Sequence, residues 1–293
     1  MNDNDKYVIR AGSTASGHFE TVIRAKDAGW EFSSLRILSL AADESEDLES
    51  GGDELLVLPL SGSVSVTVGE DTYEIKGRPS VFSALTDYLF IPRNTAFSVR
   101  ALGPARIALP AAKASKDLAV RYCPVSEVNT GIRGSGVCSR QVNNYALGNE
   151  LETSHLLVTE VITPGGNWSS YPPHKHDEHT DDERELEEIY YYEIAEGGPQ
   201  NTAGFGLQRI YSSGKQIDVC AEVRDRDTVL VPHGYHGPSV AAPGHDMYYL
   251  NVMAGPAEDA VWLMTDDPAH TWQRQAWEGE QIDPRLPMYG KDA

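Results

Sequence analysis

The sequence predicts an all-β protein built as two barrels in tandem, each a double-stranded β-helix of jelly-roll type. Three observations carry that reading. Helical periodicity is scarce, while short apolar or alternating runs recur between Gly, Pro, Asn and Asp. The runs appear in the same order in both halves of the chain. A length of 293 residues is enough for two ordinary domains, each with a core of its own.

In the first half the expected strands are Ser34-Leu-Arg-Ile-Leu-Ser-Leu40, Glu54-Leu-Leu-Val-Leu-Pro59, Ser63-Val-Ser-Val-Thr-Val68, Tyr88-Leu-Phe-Ile-Pro92 and Ala105-Arg-Ile-Ala-Leu109. In the second they are Leu156-Leu-Val-Thr-Glu-Val-Ile162, Glu188-Ile-Tyr-Tyr-Tyr192, Phe205-Gly-Leu-Gln-Arg-Ile-Tyr211, Thr228-Val-Leu-Val-Pro232 and Met247-Tyr-Tyr-Leu-Asn-Val-Met253. The Ser-, Gly- and Asn-rich stretch 124–151 is expected to connect them. This gives an N-terminal domain over 1–135 and a C-terminal domain over 150–293. The halves overlay: Asp87-Tyr-Leu-Phe-Ile-Pro-Arg-Asn-Thr-Ala-Phe97 has the build of Asp227-Thr-Val-Leu-Val-Pro-His-Gly-Tyr-His-Gly237. Each is an acidic residue, a buried strand, a proline that stops the ladder, and a turn.

Charge excludes some partners. A formal net charge of −20 with no basic run offers no footprint for nucleic acid and disfavours anionic membranes. No apolar stretch approaches the roughly 20 residues of a membrane helix, and Met1 to Arg10 lacks the apolar run of a secretory signal. Cys123, Cys138 and Cys220 have no CxxC spacing, as expected of free thiols in a reducing cytoplasm.

Eight of the nine histidines follow residue 150, and His18 is the exception. In the overlay Ala96 stands where the second half has His236, so the first barrel is expected to hold no metal. In Tyr171-Pro-Pro-His-Lys-His-Asp177, His174 and His176 stand at i and i+2, on one face of an extended strand, as a two-point grip on a metal requires. Glu188 opens the next strand on the face of Tyr190 and Tyr192, with Glu187 as the rival carboxylate should the register slip by one. His236 ends the Pro232-His-Gly-Tyr-His turn and completes the set. Three imidazoles and a carboxylate suit one divalent transition metal per chain (zinc, manganese, iron, nickel or cobalt) and not a calcium or magnesium cage. The order of these ligands matches a cupin barrel.

Residues 168–255 resemble the 5-deoxy-glucuronate isomerase family of myo-inositol catabolism. The resemblance is carried by Ser170-Tyr-Pro-Pro-His-Lys-His-Asp177, Leu186-Glu-Glu-Ile-Tyr-Tyr-Tyr192, Val231-Pro-His-Gly-Tyr-His236 and Ala242-Pro-Gly-His-Asp-Met-Tyr-Tyr-Leu-Asn-Val-Met-Ala-Gly255. It implies two cupin domains and interconversion of an aldehyde-bearing deoxy-uronate with 5-dehydro-2-deoxy-gluconate. That chemistry is similar to that of ketol-isomerases acting on 4-deoxy-5-hexosulose-uronate. Two departures stand out: the stretch from Glu178 to Glu187 is longer than in ordinary cupins, and His236-Gly-Pro replaces His-Pro.

The remaining candidates divide by chemistry. Arg209, inside an apolar strand, is either a structural ion pair or a clamp on the substrate carboxylate. Tyr190 and His233 are candidate bases, although a tyrosine pKa near 10 argues against the first and a turn hydrogen bond competes for the second. Tyr192, Tyr249 and Asn251 are either packing or partners for sugar hydroxyls. Lys175 points away from the ligands, and His179 lies in an acidic solvated loop. The expected function is a metal-assisted aldose–ketose isomerase, cytoplasmic and homo-oligomeric, acting on a small sugar acid. A cupin oxygenase and a non-catalytic sugar-binding cupin are the alternatives.

Overall fold

The computed structural model describes residues 6–148, 150–214 and 216–291. It is almost entirely β, with only short helical turns such as Ala25–Ala28 and Trp272–Ala276. Among the described residues no helix is long and apolar enough to cross a membrane.

The first barrel is organised by one long strand, Asp53–Val68, which pairs with Asp71–Arg78, Tyr88–Ile91, Ala96–Ala101 and Ala105–Lys113. Register shifts after Pro59 and Gly62 let this strand bend from one side of the barrel to the other. Gly62 is required there: its φ is +80°, and a Cβ would stand 2.5 Å from the Pro104 carbonyl oxygen.

The second barrel has two sheets. At the centre of the larger, Glu187–Ile194 and Met247–Ala254 lie side by side, flanked by Thr228–Val231 and Leu157–Thr163. The smaller runs from Asp218–Val223 through Gly206–Tyr211 and Tyr235–Ala241 to His174–Lys175 and Thr265–Asp266.

Two expectations about organisation are corrected. Residues 124–151 are not a mere connection: Asn129–Arg133 and Arg140–Ala146 extend the large sheet of the second barrel beyond Leu157–Thr163. Near the N-terminus, Val8–Ile9 pairs with Thr228–Val231, so a boundary at residue 135 is crossed in both directions. Composition misled because polar side chains on these strands face the cavity and the interface instead of bulk water.

Period-two alternation explains the near-continuous apolar runs, because the central sheets are covered on both faces. Leu55 and Val57 fill the first barrel, while Leu56 and Leu58 pack toward the second. Tyr190, Tyr192 and Tyr249 fill the second barrel, while Ile189, Tyr191, Tyr248 and Leu250 pack toward the first. Each such fully buried side chain contributes roughly 1.5–3 kcal/mol. Three carboxylates also tie the barrels together. Glu160 pairs with Arg78 in a fully buried bridge. Glu54 accepts the backbone N–H groups of Ser154, His155 and Leu156. Glu187 accepts those of Glu31, Phe32 and Ser33 at 2.8, 3.0 and 2.7 Å.

The two overlaid turns share their backbone: Asn94 and Gly234, each two residues after the proline, have φ of 57° and 86°. Ala96 is exposed, however, and the buried residue beside it is Phe97, part of an apolar barrel interior.

Candidate metal centre

His174 and His176 sit on the short strand and its end, and His236 lies opposite His174 in the neighbouring strand. The three are 6%, 2% and 0% exposed, and one nitrogen from each falls within 4.8 Å of the others. Each Nδ1 faces a backbone carbonyl: Pro172 at 3.3 Å, Leu186 at 3.0 Å and Gly234 at 3.5 Å. Donation from Nδ1 leaves Nε2 as the lone-pair nitrogen, the tautomer that a metal ligand adopts.

Glu188 faces the same cluster from the neighbouring sheet. Its Oε2 lies 3.1 Å from His176 Nε2 and 2.9 Å from His236 Nε2. His236 Nε2 is buried, and its approach to Glu188 lacks hydrogen-bond geometry, so it has no hydrogen-bond partner. A buried polar atom of this kind is costly unless something else satisfies it. Burial, reinforced by His236 and His176, holds His174 well below the usual histidine range, so its imidazole is neutral. Burial alone would raise the Glu188 carboxyl, but His236 and His176 bring it well below the carboxylate range. These buried groups, with their imidazoles oriented by backbone carbonyls, fit a divalent transition metal.

The rivalry between the two glutamates resolves by strand alternation. Glu188 turns into the barrel with Tyr190, and Glu187 turns out toward the first barrel, where its carboxylate is occupied by three backbone donors.

His174 and Glu188 open onto a cavity of about 370 Å³, within the range of small-molecule sites. Tyr190, Tyr249 and Asn251 line it too. Ser170 Oγ lies 3.0 Å from the Tyr190 hydroxyl and 3.1 Å from that of Tyr249. Asn251 donates from Nδ2 to Glu188 Oε1 at 2.5 Å, so it orients the carboxylate. Burial, with Glu188 nearby, pushes the Tyr190 hydroxyl well above the usual tyrosine range, so it keeps its proton and donates. A wider cleft of about 550 Å³ on the first barrel is open and includes no imidazole, so size alone does not choose the site.

Three sequence candidates stand elsewhere. Tyr192 is wholly buried away from the cavity, donating to Gln208 Oε1 at 2.9 Å. Arg209 lies on the outer side of its strand, its guanidinium 4.0 Å from the Tyr211 ring centre, because alternation turns it away from the face on which Gln208 and Ile210 are buried. His233 is exposed on the turn. Lys175 is held by Asp177, Glu178 and Glu183, and His179 is exposed. Composition concealed the arginines that do line the cavity, Arg133, Arg140 and Arg274. The signal for Arg140 was present in the alternating run Arg140-Gln-Val-Asn-Asn-Tyr-Ala146.

Comparison with known proteins bears on the family and the fold. Residues 7–273 match the model of the KduI/IolB family. A Geobacillus thermodenitrificans (strain NG80-2) protein named 5-deoxy-glucuronate isomerase is 38% identical over 253 residues, covering 85% of this chain and 89% of its own. The Bacillus subtilis (strain 168) protein of that name is 38% identical over 240 residues, covering 81% and 86%. The crystal structure of an IolB-like protein from Salmonella typhimurium LT2 superposes with a TM-score of 0.84 at 34% identity, over 92% of this chain and 99% of that one. An oxalate decarboxylase from Bacillus subtilis, at 10% identity and a TM-score of 0.61, shares the tandem-barrel fold over 89% of this chain and 79% of its own. The chain belongs to the KduI/IolB family.

Proposed function

We propose that this protein is an aldose–ketose isomerase converting 5-deoxy-D-glucuronate to 5-dehydro-2-deoxy-D-gluconate, with one divalent transition metal held by His174, His176, Glu188 and His236. The observation that carries the reading is the convergence of three buried imidazoles and one carboxylate beside a cavity of sugar-acid size. The relatives named above supply the substrate.

The reaction moves hydrogen between adjacent carbons while negative charge gathers on an oxygen. A bound metal would supply Lewis-acid stabilisation of that charge. The protein's own groups do the rest. Asn251 holds Glu188 in place through Oε1. Ser170, Tyr190 and Tyr249 form a linked set of hydroxyls that hydrogen-bond sugar oxygens, with the Tyr190 proton retained for donation. Among the described residues, His174 and Glu188 are the only imidazole and carboxylate lining the cavity, so neither His233 nor a free histidine serves as a separate base. A cytoplasmic location belongs to the same reading, supported by the free thiols of Cys123 and Cys138. So does a homo-oligomer, supported by the exposed Trp168 and Leu207, which flank Val240 from the strands on its two sides.

The test is elemental analysis of purified protein together with NMR observation of 5-deoxy-glucuronate under strict anaerobiosis. One metal per chain and appearance of the ketone support the reading. Turnover only with oxygen would assign an oxygenase, and ligand binding without turnover a sugar-binding protein.

A further inference from the structure

Besides the histidine and the carboxylate, the cavity is lined by groups of opposite charge, Arg133, Arg140 and Arg274. Arg133 and Arg140 stand directly opposite each other in the antiparallel pair Asn129–Arg133 and Arg140–Ala146. Like charges in that position repel across a sheet. Arg140 gives Nη1 to the carbonyls of Cys138 at 3.0 Å and Tyr171 at 3.4 Å. Among the described residues it has no carboxylate partner, and neither has Arg133. Arg274 reaches the same cavity from the C-terminal segment, already paired with Asp266. The guanidinia of Arg140 and Arg274 each lie 5.7 Å from the Trp277 ring centre, one indole between two cations. Burial, with Arg274 and Arg133 nearby, lowers the Arg140 pKa. In a chain of net charge −20, three arginines converge on a cavity whose one lining carboxylate, Glu188, is engaged by His176, His236 and Asn251.

We infer that Arg140, with Arg133 beside it, is the anion-binding end of the cavity and selects substrates by a terminal carboxylate. This rests on the isomerase reading for the identity of the substrate. The carboxylate of the open-chain uronate lies against the Arg140 fork, which directs the aldehyde and its neighbouring hydroxyl toward His174 and Glu188. An anion there relieves the Arg133–Arg140 repulsion, and a guanidinium gives it two parallel hydrogen bonds where a lysine would give a point charge. Reversed binding would leave the carboxylate facing Glu188 and the arginines uncompensated, so the cavity reads direction as well as charge.

The test compares 5-deoxy-glucuronate with 5-deoxy-glucose, in which a hydroxymethyl group replaces the carboxylate, on wild type, Arg140→Gln and Arg140→Lys. Wild type is expected to prefer the acid in kcat/KM by about a hundredfold or more, as sites built around a substrate's polar group do. Arg140→Gln should lower kcat/KM for the acid by about a hundredfold, chiefly through KM, leave the alcohol nearly unchanged and retain its metal. Arg140→Lys should recover part of the loss. Comparable wild-type rates on both compounds overturn the inference without any variant. So does an Arg140→Gln protein that keeps its preference, or one that loses both activities equally, as loss of the Cys138 and Tyr171 contacts alone would cause. Should Arg140→Gln fail to fold, Arg133→Gln at its exposed position gives the same comparison, with a smaller loss confined to the acid expected. Wild type that turns over neither compound refutes the isomerase reading. Calorimetric binding of the two compounds then still decides the arginine site, by whether the acid is preferred and whether Arg140→Gln removes that preference.

Discussion

Exchanging each of two adjacent glutamates for glutamine separates chemistry from architecture at a distance of one residue. Glu187 accepts three backbone hydrogen bonds from Glu31, Phe32 and Ser33, and both its oxygens are used. An amide at this position turns its NH₂ toward at least one of those donors, removing a charge-assisted bond and leaving a part-buried N–H unpaired. The cost is about 1–3 kcal/mol, or a fall of roughly 2–5 °C in Tm for a chain of this size. Because the carboxylate faces the other barrel, Glu187→Gln should keep its metal and its kcat. Glu188→Gln should do the reverse. The side chain keeps its shape and its Asn251 neighbour, so Tm changes little, but the donor facing His176 and His236 loses its charge. Groups that merely orient metal ligands are worth ten- to a hundredfold, so exchanging a ligand should cost roughly a hundredfold or more in activity. Thermal melts, elemental analysis and the NMR isomerase assay read the three quantities on the same samples. Loss of metal from Glu187→Gln, or full activity in Glu188→Gln, would refute the assignment of faces.

Other outcomes follow from the same geometry. His176→Ala should lose most bound metal and its activity while circular dichroism shows an intact β spectrum; undiminished metal would remove His176 from the centre. Elemental analysis of wild type should give one transition metal per chain, because Phe97 and aliphatic side chains fill the first barrel; two per chain would contradict that interior. Arg209→Ala and His233→Ala should each leave kcat/KM within about threefold of wild type, as surface positions generally do. A loss of a hundredfold from either would place that residue back in the reaction.

Much of this site was legible because the relevant spacing is two. His174 and His176, then Glu188 with Tyr190, are separated by one residue, and an extended backbone places such pairs on one face whatever their surroundings. The same rule chose Glu188 over Glu187. It could not place Arg209, since alternation says which residues share a face but not which face is inward. Its neighbours Leu207 and Tyr211 appeared to argue for burial, yet Leu207 is 44% exposed and Tyr211 serves as the stacking surface for the guanidinium. Arg140 was hidden for the opposite reason. Its strand is rich in Asn and Gln, residues that read as a loop when their partners are unknown. Here Asn143 and Gln141 make buried hydrogen bonds across to Glu160 and to the backbone of Tyr289, and Asn144 faces the cavity. Polar composition marked a loop only as long as the tertiary partners were out of view.

The first barrel has a physical part in a site lined by the second. The strand Glu187–Ile194 carries Glu188 inward and is anchored at its first residue by the backbone of Glu31 to Ser33. The strand Leu157–Thr163, two places away in the same sheet, is tied to the first barrel by Glu54 just before its start and by the Arg78–Glu160 bridge at its middle. The Glu160 carboxylate also accepts from the Tyr248 hydroxyl at 2.9 Å, on the strand that supplies Tyr249 and Asn251 to the cavity. Each of these three strands thus bears a cavity residue on its inner face and an outer-face tie toward the other barrel one position away. Side chains of a strand turn together when its backbone twists, so fixing the outer face limits the freedom of the inner one. Placement of catalytic groups within a fraction of an ångström depends on such support. The first barrel therefore holds the sheet from behind, which accounts for the extensive apolar interface between the two halves.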